Sequence, residues 1–170
     1  MKTNLFLLLM SVSCLAVCQE LHVSSETGLI TYEKIIDAPG KSADELFGIA
    51  KTWMVSNFTN AKDIAESKPN AMSMTFITDI GGWGLGKQSP FRLALVIKVK
   101  EGAIKLIIDN MVNIDTQTVG GPYSAESYWK KKDGTIRDGG MQQKPLKELT
   151  ENCNSLGKSL EAKILKGDKW

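Results

Sequence analysis

Residues Thr31 to Phe58, TYEKIIDAPGKSADELFGIAKTWMVSNF, restrict the possible folds more than any other stretch of this chain. Leu29 to Asp37 (LITYEKIID) is dense in β-branched and aromatic residues, which predicts a strand. Pro39-Gly40 stops it, because proline brings no N–H to a ladder and glycine accepts turn dihedrals. Ser42 stands three residues before Glu45, the spacing of a capping box in which each side chain satisfies a backbone donor at the helix start. Asp44 and Glu45 put negative charge at the positive end of the helix dipole. Leu46, Ile49, Ala50, Trp53, Met54 and Phe58 then recur at spacings of three and four, so they share one helix face. That face reads as packing surface, with Trp53 expected at a helix–helix contact over a sheet rather than as a platform for a ligand.

The first 18 residues read as a targeting segment. Lys2 is a short basic region, and Leu5 to Val17 is an apolar run shorter than the ~20 residues that span a bilayer. Ala16-Val17-Cys18 suits signal peptidase, with cleavage expected near Cys18-Gln19 and a protein exported to the periplasm or cell envelope. Leu15-Ala16-Val17-Cys18 also resembles a loosened lipobox, the alternative in which Cys18 carries a lipid and tethers the chain to a membrane. Residues 19–28 read as a flexible tail, and residues 29–170 as a single domain long enough to bury its own core. Loss of Lys2 takes the formal net charge from +2 to about +1, which leaves no electrostatic case for nucleic acid. Cys153 is then the one cysteine of a free mature chain and has no internal disulfide partner.

Downstream, Asp63–Lys68 is a short candidate strand followed by a turn at Lys68-Pro69-Asn70. Met72, Met74, Phe76, Thr78 and Ile80 alternate with Ala71, Ser73, Thr75, Ile77 and Asp79 as in a half-buried strand. Gly81 to Gly86 reads as a loop. In Phe91–Lys100, Phe91, Leu93, Leu95, Ile97 and Val99 line one face, while Arg92, Ala94, Val96, Lys98 and Lys100 line the other. Glu101-Gly102 turns the chain into Ala103–Asp115, where Ile104, Leu106 and Ile108 alternate with Lys105, Ile107 and Asp109. Gln117–Lys144 is irregular, with Lys132-Asp133-Gly134 placed to close a small hairpin. Pro145 starts a last helix with Leu146, Leu149, Cys153, Leu156, Leu160 and Ile164 on one stripe. The order β-α-β-β-β-β-α specifies an α+β domain: an antiparallel sheet of four to five strands covered on one face by two helices.

On these residues the chain resembles a domain of unknown function with a TBP-like fold, frequent in exported proteins of Bacteroides-type bacteria. The resemblance rests on the leader, Tyr32-Glu33-Lys34-Ile35-Ile36, Pro39-Gly40-Lys41-Ser42, Glu45-Leu46-Phe47 and Trp53, and covers residues 29 to 115 best. It implies a helix-on-sheet topology related to the TATA-binding protein, no DNA binding, and no established activity or catalytic residues to carry over.

The chemistry-bearing motifs are few. Gly81–Lys87, GGWGLGK, matches G-x-x-x-x-G-K, but Gln88 stands where a P-loop needs Ser or Thr, and Pro90-Phe91 opens a strand instead of a helix. His22 is the only histidine and precedes the domain, which removes Ser-His-Asp, Cys-His and common zinc arrangements. Asp109 and Asp115 lie six apart on one strand, about 20 Å, too far to act as a pair. No cofactor or metal is expected. The second sheet face is more apolar than a solvated one, with Ala94, Val96, Ile107 and Met111 among Arg92, Lys98, Lys100 and Lys105. Three readings of it stay open: cover by Gln117–Lys144 through Tyr123, Tyr128 and Trp129, a partner surface, or a weak self-association face. The leading reading is a non-catalytic module that binds a protein or small ligand through Trp83, Arg92, Val96, Ile107 and Met111. The alternative is a helix-grip-like carrier with an apolar cavity lined by Leu93, Leu95, Leu156 and Leu160. An enzyme using carboxylates or Cys153 comes last.

Overall fold

The computed structural model describes residues 20–58, 65–67, 70–83, 87–115, 122–137 and 139–166. The expected leader, the tip of the glycine-rich loop at residues 84–86 and residues 117–121 lie outside the described residues. Thr31–Phe58 folds as its pattern predicts. Strand β2 (Ile30–Asp37) ends at a turn where Gly40 adopts φ +84°, and helix α1 (Ala43–Asn57) begins after Ser42. Ser42 Oγ accepts the Glu45 N–H at 3.2 Å. The reciprocal half of the box is not formed: the Glu45 carboxylate pairs with Lys41 one turn earlier instead.

The described strands form one antiparallel sheet in the order β1-β2-β6-β5-β4-β3, with β7 added to β6. Its long members are β4 (Ala71–Trp83), β5 (Lys87–Lys100) and β6 (Ala103–Asn113). The short ones are β1 (His22–Val23), β3 (Ala65–Ser67) and β7 (Tyr123–Ser124). The expected fold class stands, and the short strands extend the sheet beyond the five foreseen.

Three readings of the sequence need correction. The tail expected at residues 19–28 is part of the fold: His22 and Val23 pair with Thr31 and Ile30, and Leu21 is buried. Two residues are too few to show a strand period, so the pairing was invisible in the pattern. The glycine-rich segment expected as a loop from Gly81 belongs to β4 as far as Trp83, which pairs with Lys87 after a bulge past Ile80. Lys87, the last residue of the motif, opens strand β5 and not a helix. Met111 is not on the second face. A bulge in β6 puts two residues, Asn110 and Met111, between the partners of Arg92 and Ala94 where β5 has one, and Asn110 takes φ +46° to make it. The extra residue inverts the alternation. Val112 shares the open side with Arg92, and Met111 turns inward and is fully buried.

Helices α1 and α3 (Gln143–Lys166) cover the other face. α3 starts two residues before Pro145, a position a first helical turn tolerates. It runs diagonally over the sheet: Glu148 Oε1 accepts the Gly81 N–H on β4 at 3.0 Å, and Asn154 Oδ1 and Glu161 Oε2 meet Tyr32 Oη and Lys34 Nζ on β2. β4 and β2 stand three strand spacings apart, about 14 Å. Gly157 is buried where α3 comes nearest β2. Trp53 Nε1 donates to Ser159 Oγ at 3.0 Å, the expected contact between the two helices. The helix-facing residues of β4, β5 and β6, including Met72, Leu95 and Leu106, are fully buried beneath them. Each such side chain contributes roughly 1.5–3 kcal/mol.

The segment after β6 closes the end of this core. β7 takes the edge of β6 beyond the bulge, past the last β2 pair at Tyr32 and Ile108. Helix α2 (Ala125–Trp129) follows it. Trp129 is fully buried and stacks on Phe91 at 5.7 Å, so it serves the helix-side core and not the second face. Glu126 Oε1 accepts the Ile30 N–H at 2.7 Å, where the β2 ladder ends. Lys130 and Ile136 pair across the expected Lys132-Asp133-Gly134 hairpin, with Gly134 at φ +83° and Asp133 accepting from Thr135.

Candidate functional site

The ladder registers place the side chains of the second face in rows. Glu33, Ile107, Val96 and Ser73 form one row across β2, β6, β5 and β4, and Ile35, Lys105, Lys98 and Ala71 form the next. Toward the bulge lie Asp109, Ala94 and Thr75, then Val112, Arg92 and Ile77. Helices α1 and α3 pack on the opposite face. Val96 and Ile107 are half-buried by their neighbours in the sheet, Arg92 is exposed, and Ile35 and Ile77 keep 61% and 60% of their surface in contact with solvent. Lys98 and Lys105 stand directly opposite each other, a like-charge pair that costs stability unless relieved, and Glu33 relieves it by pairing with Lys105 at 2.9 Å. Beside them Ile35, Lys98, Lys100, Ala103 and Lys105 frame a shallow pocket of about 250 Å³.

Of the five residues singled out from sequence, the structure thus gathers Arg92, Val96 and Ile107 on one open face and sends Met111 into the core. Trp83 ends β4 beside Lys87, at the far end of the β4–β5 hairpin from the Lys98–Lys105 row. Ile35 and Ile77 were missed as members of this face. Their signal was present, because each occupies an outward position in an alternating strand.

Asp109 on this face is held above the ordinary carboxylate value of 3.8, first by burial and then by the charges of Glu126 and Glu33. Among the described residues no three His, Cys, Asp or Glu side chains come together as a metal site.

On the helix side, a groove of about 430 Å³ runs between β4, the end of α1 and α3. Phe58, Phe76, Leu93, Leu149, Cys153 and Leu156 supply its apolar lining. The cavity expected from sequence was to hold Leu95 and Leu160 as well, but both are fully buried in the core. α3 packs down on the sheet instead of arching over it, so the space is an open groove along its flank. Cys153 lies at the groove with 1% of its surface exposed, and burial pushes its thiol up to about 12. His22, exposed on β1, is remote in the sheet from β4.

Two solved structures share this architecture. One is a TBP-like protein from Parabacteroides distasonis ATCC 8503, with 10% identity and a TM-score of 0.68 over 86% of this chain and 99% of that one. The other is a DUF4468 family protein from Bacteroides ovatus ATCC 8483, with 15% identity and a TM-score of 0.68 over 87% of this chain and 93% of that one. At such identities they establish the fold alone. No curated protein matches. Residues 32–113, from β2 through β6, match the family described as a domain of unknown function (DUF4468) with TBP-like fold. The chain therefore carries the DUF4468 domain, on an antiparallel sheet packed by helices in the TBP-like manner.

Proposed function

We propose that this chain is an exported, non-catalytic binding module that holds a protein partner on the open face of its sheet. The observation that carries the reading is the set of rows around Val96 and Ile107, an apolar strip with Ile35 and Ile77 exposed and lysines and carboxylates at its margins. Such a strip offers apolar contact in its middle and charge selection at its rim. The non-catalytic part draws support from a sole histidine exposed on β1 and a sole domain cysteine buried and protonated. Export draws support from the Leu5–Val17 apolar run, with cleavage near Cys18-Gln19 or, alternatively, lipid attachment at Cys18. Among the described residues no helix is long and apolar enough to cross a membrane.

The test replaces Val96 and Ile107 by lysine together. Both face solvent from the sheet, so the fold and its melting temperature should persist while capture of partners from an envelope extract and any concentration-dependent self-association are lost. Lys158→Glu, on the exposed side of α3, is the control. Unchanged capture and unchanged oligomeric state in the double variant refute the sheet-face reading.

A carrier of a small apolar ligand is the second reading, favoured by the groove along α3. Native mass spectrometry of the purified protein decides it: a co-purified lipid supports it, and an empty protein that displaces no fatty-acid dye rejects it.

A further inference from the structure

Three lysines stand together on the open face near the β5–β6 turn, where local propensity does not favour them. Lysine is depleted in strands, and where it appears it commonly guards an exposed sheet edge. β5 and β6 are not edges, because β2 and β4 flank them in the sheet order. Lys98 lies directly opposite Lys105, and Lys100 follows two residues later on the same side of β5. Such positions on one strand face are about 7 Å apart, so the three ammonium groups repel one another. Glu33 answers only Lys105, at 2.9 Å. Among the described residues no carboxylate pairs with Lys98 or Lys100, and both are exposed. Asp37, the acidic residue of the next row, stands on the far side of Ala103 from Lys100 and pairs with neither.

The lysines rim a recess. Ala103 gives its row only a methyl group, and the longer side chains of Ile35, Lys98, Lys100 and Lys105 stand around it to frame the pocket of about 250 Å³. Clefts for drug-sized ligands run to about 300–1,000 Å³, so this one is sized for a side chain. Ile35 supplies an apolar wall that is 61% exposed. The recess adjoins the apolar strip, because Ile35, Lys105 and Lys98 form the row beside Glu33, Ile107 and Val96. An apolar side chain flanked by carboxylates matches both features: it buries surface against Ile35 and brings the missing charge to Lys98 and Lys100. A second copy of this chain matches poorly. It brings Arg92, Lys98, Lys100 and Lys105 to the contact against Glu33, Asp37 and Asp109, and Glu33 is already engaged, so cations remain in excess. A flat bilayer surface would span the recess without filling it.

We propose that this recess recognises an acidic segment of the protein partner, with one apolar side chain seated between Ile35 and Ala103 and carboxylates on either side of it accepting from Lys98 Nζ and Lys100 Nζ. The inference rests on the sheet-face reading and names the partner's chemistry there. The lysines select an acidic sequence and speed its approach, and the recess demands an apolar residue within it.

The experiment uses the mature chain and a fluorescein-labelled, end-capped heptapeptide of alternating aspartate and leucine, read by fluorescence anisotropy. Saturable binding is expected, weakening as salt rises, with amide NMR shifts centred on Ile35 and the turn from Lys98 to Lys105. Lys98→Glu with Lys100→Glu should weaken it about tenfold or more. Both positions are exposed, and reversal at residue 98 removes the like-charge pair with Lys105. The melting temperature should therefore hold or rise, which separates lost binding from lost folding. Ile35→Ser should weaken binding too, and a peptide of alternating aspartate and serine should bind about tenfold more weakly or worse. Absence of saturable binding, equal binding of a lysine–leucine peptide, or equal binding by the charge-reversed protein overturns the proposal. Equal binding of the aspartate–serine peptide overturns it in favour of a diffuse cationic surface. Binding of phosphatidylglycerol vesicles without binding of the peptide overturns it in favour of a membrane surface. If the peptide fails while Val96→Lys with Ile107→Lys still abolishes partner capture, the acidic chemistry is wrong and the sheet-face reading stands; if capture is unchanged in that variant too, both fall.

Discussion

Replacing Gly157 by alanine should destabilise the domain even though alanine is the better helix former. At an ordinary mid-helix site the change is worth about 1 kcal/mol in favour of alanine. Here a Cβ would stand 2.5 Å from Tyr32 Oη and 2.9 Å from Lys34 Cδ, where ordinary contact begins at 3.4 Å. Lys34 can swing aside, because its stem is flexible. Tyr32 cannot: its ring is fully buried on β2, and its hydroxyl bonds Asn154 at 3.3 Å. Either α3 lifts from β2 or the ring tilts and weakens that bond. Overpacking of this kind costs about 1–3 kcal/mol, and a lost hydrogen bond about 1 more. Offset by the gain in propensity, the net loss is about 1–3 kcal/mol, and each kcal/mol lowers the melting temperature of a domain this size by roughly 2–4 °C. Urea unfolding of the wild type, Gly157→Ala, Tyr32→Phe and the double variant measures it. Removing the hydroxyl removes the nearest obstacle, so the cost of Gly157→Ala should shrink by about 1 kcal/mol or more in the Tyr32→Phe background. If Gly157→Ala stabilises the protein, or costs the same in both backgrounds, close approach of α3 to β2 is not why glycine is there.

Three further outcomes follow from the described geometry. Asp109 binds its proton more tightly folded than unfolded, so stability falls as pH rises through 3.8 toward its raised folded value; Asp109→Asn should therefore raise the melting temperature at pH ~7 and lose that advantage at pH ~3, and an equal effect at both would contradict the assignment. Ser42→Ala removes the bond to the Glu45 N–H and should cost about 1 kcal/mol by urea midpoint, whereas Glu45→Gln, whose carboxylate serves Lys41 and not the cap, should cost far less. Cys153, with its thiol pushed up to about 12, should resist an aromatic disulfide reagent in the native protein and react at once in denaturant; fast reaction under native conditions would place it outside the core.

The open face shows how far a strand pattern carries. Arg92, Val96 and Ile107 were legible because β5 and the first half of β6 keep an unbroken period of two. Met111 was misplaced for want of one residue. The spacing from Ile108 to Met111 is three, and Asn110 between them belongs to the few residue types that accept a positive φ, so the bulge had a trace in the sequence. His22–Val23 had none, because a two-residue strand is specified by its partner.

What the sequence determined by itself is the set of local decisions: the strand before Pro39-Gly40, the cap at Ser42, the apolar stripes of α1 and α3, and the hairpin turns at Glu101-Gly102 and Lys132-Asp133-Gly134. Each follows from dihedral preference or periodicity within a few residues, which needs no knowledge of distant contacts. The tertiary structure alone decided where those stripes meet. It brought Gly157 against Tyr32, sent Trp129 onto Phe91, gave Glu126 to the end of the β2 ladder and laid α3 beside the outer edge of β4. These pairings join residues far apart in the chain, and they arise from packing volume and from backbone groups that must find partners once water is excluded.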